Sequence, residues 1–173
     1  AEYDKLKAEN ERKGKTVEET VEEINRLARK CFKSVTQIYT PYRRRRIDGT
    51  SAWPMGANWS FFSAAFHSAM TQTEPFIWLE PDAVPLKENW LRTIEEEYYR
   101  AGKKMMGAVL DTNMPEAHPK YLNGVAVYCA KALRYYDAAM VDFLCGGGHA
   151  FDVAAAKQVV PEAHPSPLFY HFW

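Results

Sequence analysis

Apolar residues recur at steps of three and four from Val17 through Val21, Ile24, Leu27 and Cys31 to Val35, the stripe of an amphipathic helix ending near Lys33. Thr16, followed three residues later by Glu19, reads as a capping box at its start. Residues 1–15 are dominated by charge and predict a solvated helical arm or a frayed start. VTQIYT at 35–40 alternates, is rich in β-branched residues and predicts a strand closed by Pro41. WPMGAN at 53–58 reads as a break, with Asn58 capping a helix over about 59–70. That helix would turn Phe62, Ala65, Phe66, Ala69 and Met70 inward. Pro75 introduces FIWL at 76–79, a short buried strand. A helix over 88–101 follows, with Trp90, Leu91, Ile94 and Tyr98 inward and Gly102 as its stop. KMMGAVLD at 104–111 and VAVY at 125–128 predict strands on either side of a polar loop at 112–121. ALRYYDAAMVDF at 132–143 predicts a helix, CGGGHAFD a loop and 152–160 a short helical stretch.

Strands alternate with helices and are continuously apolar, which predicts an α/β fold of three layers, α/β/α, with a sheet covered on both faces. A chain of 173 residues suits a single domain over 1–173, and a hydrophobic fraction of 47% predicts a globular one. Basic and acidic residues balance at 22 each, so net charge gives no reason to expect a nucleic-acid or membrane partner. The cysteines, Cys31, Cys129 and Cys145, are few and far apart, which favours a reducing compartment and a cytoplasmic location. No apolar stretch approaches 18 residues and the front end is charged, so neither a membrane span nor a signal peptide is expected.

The segment FIWLEPDAVPL carries the most chemistry. A strand runs directly into Glu80, Pro81 and Asp82, and open α/β sheets bind ligands at the carboxyl ends of their strands. Two acids at i and i+2 suit a hard divalent cation, Mg²⁺ or Mn²⁺, whose shell substrate phosphates would complete. An acidic turn that caps the next helix is the plainer alternative, but Trp90 lies several residues beyond it. The run Arg43, Arg44, Arg45 and Arg46 is either a solvated loop or a site for a diphosphate or other polyanion.

FIWLEPDAVPLKENWL resembles the DxD region of GT-A glycosyltransferases, in which an apolar strand delivers acids to a metal and to the diphosphate of a nucleotide sugar. The resemblance implies a metal role for Asp82 and a ribose-side or metal role for Glu80. GANWSFFSAAFHSAM resembles the segment ahead of that strand and would set Asn58 near the donor nucleotide, as an alternative to its cap role. LNGVAVY resembles the turn and strand that face the sugar and acceptor, on Asn123 and Gly124; a tight turn before a strand would account for the glycine as well. By the same resemblance CGGGHAFDV would hold the general base of an inverting enzyme, Asp152 first and Asp142 in reserve, although Asp152 could equally cap a helix. His171 in FYHFW resembles the late histidine of the metal site, or is a packing residue among aromatics.

The resemblance covers 53–173 well and 16–50 loosely, begins its motif with Glu rather than Asp, and lacks a recognisable first nucleotide-binding strand. It implies a GT-A-like mixed sheet that moves a sugar from a nucleotide sugar to an acceptor hydroxyl with Mn²⁺ or Mg²⁺. The acceptor, whether glycan, protein or nucleic acid, is undetermined, with Trp53, Trp59 and Tyr121 as aromatics for its groove. A partner chain or oligomer would complete the N-terminal side. Three alternatives remain: a catalytically silent GT-A-like binding or assembly module, a metal-dependent nucleotidyltransferase, and an arginine-led nucleic-acid-binding protein, for which one short basic run in a neutral chain is thin support.

Overall fold

In a computed structural model the chain is described over residues 16–30, 32–33, 35, 53–80, 83–112, 117–144 and 148–170. It divides into two units, Ala1–Trp53 and Pro54–Trp173. The expected 1–15 arm, the VTQIYT strand beyond Val35 and the arginine run lie outside the described residues.

In the first unit the capping box forms in both directions. Glu19 N donates to Thr16 Oγ1 at 3.1 Å, and Thr16 N donates to Glu19 Oε2 at 2.7 Å. Two of the helix's orphan donors are thereby satisfied, and α1 (Val17–Ala28) starts where its sequence says. It ends about a turn before Lys33, at Arg29, whose N–H bonds back to Asn25 O and Leu27 O.

The second unit begins with α2 (Trp53–Thr71), six residues earlier than a break at 53–58 would allow. Pro54 occupies the first turn, where a missing N–H costs nothing. Asn58 is therefore inside the helix and does not cap it. Asn58, Phe61, Phe62, Ala65 and Ser68 form the buried face, while Phe66 and Met70 stand in solvent, contrary to expectation. The helix is apolar nearly all round, so its periodicity could not choose a face.

Among the described residues the sheet comprises β1 (Phe76–Trp78), β2 (Met105–Asp111), β3 (Lys120–Tyr128) and β4 (Ala163–Pro165), in the order β1-β3-β2-β4. β3 is antiparallel to β1 and β2, and β4 is parallel to β2, so the sheet is mixed. Two features depart from the sequence reading. β3 starts at Lys120, so Asn123 and Gly124 lie inside a strand and not in a turn before one. The tail contributes β4, a strand too short to carry a period.

Helix α3 (Trp90–Ala101) joins β1 to β2 and ends, as expected, at Gly102, whose φ of 63° a side chain would strain. Leu91, expected inward, is exposed. After β3 the expected helix over 132–143 is broken at Tyr136, whose ring is fully buried. It becomes a 3₁₀ turn, Ala132–Tyr135, and α4 (Asp137–Leu144). Two single turns, α5 (Phe151–Ala154) and α6 (Ala156–Val159), and a 3₁₀ turn, Val160–Glu162, lead into β4.

Strand alternation divides the core in two. Leu122, Ala126 and Tyr128 of β3 pack with Phe61, Tyr136 and Phe151, around a ring stack in which Phe61 and Phe151 lie 3.9 Å apart and 4° from parallel. Val127, with Met106 of β2, packs with Tyr98 and Ile94 of α3. Helices thus cover both faces of a four-stranded mixed sheet, an α/β fold.

Candidate functional site

Period two in β3 sends neighbours to opposite faces, and this governs how the expected site residues are distributed. Gly124 is buried on the aromatic face. A Cβ there would lie 3.0 Å from Glu80 Oε1, 3.3 Å from Phe151 Cζ and 3.9 Å from Asp152 Oδ2. The glycine is therefore a matter of space: with no side chain at 124, two carboxylates from distant parts of the chain converge on one point. Glu80 reaches it from the end of β1 and Asp152 from the first turn of α5.

Burial pushes Asp152 up from 3.8 to about 6, and the neighbouring Glu80 charge adds to the rise. The backbone N–H groups of Val153, Asp152 and Gly124 oppose it, the first at 2.9 Å from Oδ1. Burial also raises Tyr128 and Tyr136 well above the usual phenol range, and raises Tyr121, with Asp152 as a further cause. Tyr128 Oη donates to Gly124 O at 2.7 Å, which ties this strand position to the aromatic core. A carboxyl group poised near 6 can hold or release a proton close to neutral pH, as general acid–base chemistry requires. Asp152 does not cap α5; the capping position is Ala150.

The other expected residues have different surroundings. Asn58 spends both ends of its amide on the backbone: Nδ2 donates to His149 O at 3.0 Å, and Oδ1 accepts from Phe151 N at 2.7 Å. It clamps the 148–151 segment to α2. Asp142 stands in a separate pair, with Oδ1 3.5 Å from His149 Nδ1. Its Oδ2 is buried, with no hydrogen-bond partner among the described residues. Trp59 packs against the aromatic core and is not a free groove aromatic.

On the opposite face, Asn123 opens onto a cleft of about 380 Å³. Its Oδ1 accepts from Val125 N at 3.2 Å. Glu80 and Lys87 are the cleft's charged lining residues, and Ile94, Trp90 and Phe169 are among its apolar ones. Its outer wall is the segment 83–87, where Val84 and Leu86 are each 72% exposed. The sequence signal for this wall was present in DAVPLK, an apolar pair with no helical or strand period, but only the fold makes it one side of a cavity.

Arg43, Arg44, Asp82 and His171 lie outside the described residues. Of the expected metal ligands only Glu80 is described, and among the described residues no three His, Cys, Asp or Glu side chains gather as a cation shell. Also among the described residues, no helix is long and apolar enough to cross a membrane. Compared with protein-family models, curated proteins and solved structures, the chain matches none of them.

Proposed function

We infer that the Pro54–Trp173 unit is a binding module of GT-A-like layout, which takes a small ligand with a flat apolar body and a polar head. The cleft between β1, β3, α3 and the tail carries this reading, because its volume of about 380 Å³ is that of a small-ligand site. Trp90, Ile94 and Phe169 would hold the body. Glu80, Asn123 and Lys87 would fix the head, few polar groups on an apolar wall being the usual source of orientation. No cation shell is needed for such binding, and none gathers among the described residues.

Metal-dependent sugar transfer is the second reading, favoured by one observation, the convergence of Glu80 and Asp152 at Gly124. A Mg²⁺ site often uses only one or two carboxylates plus substrate phosphates. Asp152, raised to about 6, would then serve as base to an acceptor hydroxyl. Mn²⁺ or Mg²⁺, if held by Glu80 with Asp82, would supply charge neutralisation on a departing diphosphate.

Calorimetry with nucleosides, nucleotides and nucleotide sugars, with and without Mn²⁺, separates the two. Binding without metal, abolished when Ile94→Trp fills the cleft, supports the module. Binding that requires Mn²⁺, is lost in Asp82→Ala and is accompanied by sugar release supports transfer. Silence across the panel from a folded sample removes the cleft as a site for this ligand class.

A further inference from the structure

The polar side chains that line the cleft differ in what they can still bond. Where the pairing of β2 with β3 slips, between Gly107 and Val109, Val125 N donates to Asn123 Oδ1 at 3.2 Å. That bond fixes which way round the Asn123 amide lies, because only its oxygen can accept from an N–H. Both N–H groups of Nδ2 therefore remain, with no partner among the described residues. Lys87 Nζ is likewise unpaired among the described residues. Thr93 turns its hydroxyl back onto Asn89 O at 3.2 Å. Glu80 is already engaged with other groups. Its Oε1 lies 3.0 Å from where a Gly124 Cβ would be, on the face of β3 opposite Asn123. The amide and the ammonium left to a ligand are thus both donors, one of them a cation, set among Trp90, Ile94 and Phe169.

We propose that the cleft selects an organic mono-anion, a flat apolar ring system whose single carboxylate or similar oxyanion is taken by Lys87 Nζ and Asn123 Nδ2. This rests on the small-ligand reading of the cleft and names its ligand class. An oxyanion only accepts, so it answers both donors, and a charge-assisted bond is the stronger kind. The same pair rejects an amine, which would leave both donors without an acceptor in an apolar surround. Lys87 is the one cation among the described lining residues, so it balances a single charge. A diphosphate or triphosphate would bring surplus negative charge towards the carboxylates of Glu80 and Asp152, which like-charge repulsion disfavours.

Titration calorimetry of the full chain with naphthalene probes at neutral pH tests it. Naphthoate and naphthalenesulfonate are expected to bind at least about tenfold more tightly than naphthalenemethanol, and naphthylmethylammonium more weakly still. Lys87→Met removes the charge and keeps an unbranched side chain; it is expected to bring the affinity for naphthoate down to that for the alcohol. Asn123→Asp keeps an acceptor for Val125 N but replaces two donors with a carboxylate, and is expected to turn the preference towards the ammonium probe. Thermal unfolding shows which variants are folded; Lys87 is exposed, so Lys87→Met decides the matter if Asn123→Asp does not fold. Naphthoate and naphthalenemethanol binding alike, both lost in Ile94→Trp, overturns the anion site and leaves the cleft reading standing. No binding by any probe overturns the proposal, and together with silence across the nucleotide panel it removes the cleft reading as well. A preference for naphthoate that survives Lys87→Met overturns the assignment of the donors. Naphthyl phosphate binding at least about tenfold more tightly than naphthoate overturns the single-charge class.

Discussion

The two faces of the sheet are made by the same strands, yet one is sealed and the other is open. On the sealed face β3 contributes Leu122, Gly124, Ala126 and Tyr128, and aromatic rings from α2, α5 and the turn before α4 fill the space above them. Phe61 alone contacts Phe62, Trp78, Tyr128, Tyr136 and Phe151, with ring centroids between 3.9 and 5.8 Å. On the open face the buried core shrinks to Tyr98, Met106 and Val127, and beyond it the strands look into the cleft. Large interlocking rings fill the first face, whereas small residues such as Ala108 and a single helix leave a cavity on the second. The buried core is concentrated on the first face and the cavity on the second, and Glu80, beyond the end of β1, borders both.

The largest expected effect comes from breaking the sealed face. Phe61→Ala removes a fully buried ring from the centre of the stack and should cost about 3–5 kcal/mol by urea unfolding. A loss below about 1 kcal/mol would mean that the rings do not carry the fold.

A smaller effect tests the carboxyl pair at Gly124. Asp152 binds its proton more tightly folded, at about 6, than unfolded, near 3.8, so its own contribution to stability is fully present below about pH 4 and is lost as pH rises from about 4 to 6. The penalty is on the order of 2–3 kcal/mol for a group this buried. Asp152→Asn should flatten that slope and be the more stable protein at neutral pH. Parallel pH–stability curves for the two proteins would place the ionisation of Asp152 outside the folding equilibrium.

The smallest effect sharpens the contrast from the other side. Leu86→Ser on the outer wall of the cleft should change stability by less than about 0.5 kcal/mol, because its side chain is already in water. It should nonetheless weaken any cleft ligand found by calorimetry. A large fall in stability would show that the wall belongs to the core.

Elements whose signals are local were legible in the sequence. The Thr16–Glu19 box, Gly102 as a helix stop, and the strands at 76–78 and 105–111 rest on capping, backbone conformation and short apolar runs that need no distant partner. The acid at the end of β1 was legible for the same reason. Misreadings arose where a local signal met a tertiary demand. Pro54 and Gly56 suggested a break, but α2 runs through them, with Phe61 and Phe62 docked on the sheet. Asn123-Gly124 suggested a turn, but strand pairing with β2 extends β3 through both. Tyr136 lay within an unbroken helical pattern, yet its ring is buried in the aromatic core and the helix is split around it.

The sequence by itself determined that this chain mixes short strands with helices, that an acid follows one of those strands, and that the helix from Val17 is capped and amphipathic. These follow from periods and caps, which act over a few residues. The tertiary structure decided which face of each element is buried, that β4 completes the sheet, and that Glu80 and Asp152, 72 residues apart, meet over a glycine. It also decided that Asn123 and Gly124 serve opposite faces. Those outcomes depend on contacts between residues distant in sequence, where packing volume and the burial of charge, rather than local propensity, select the arrangement.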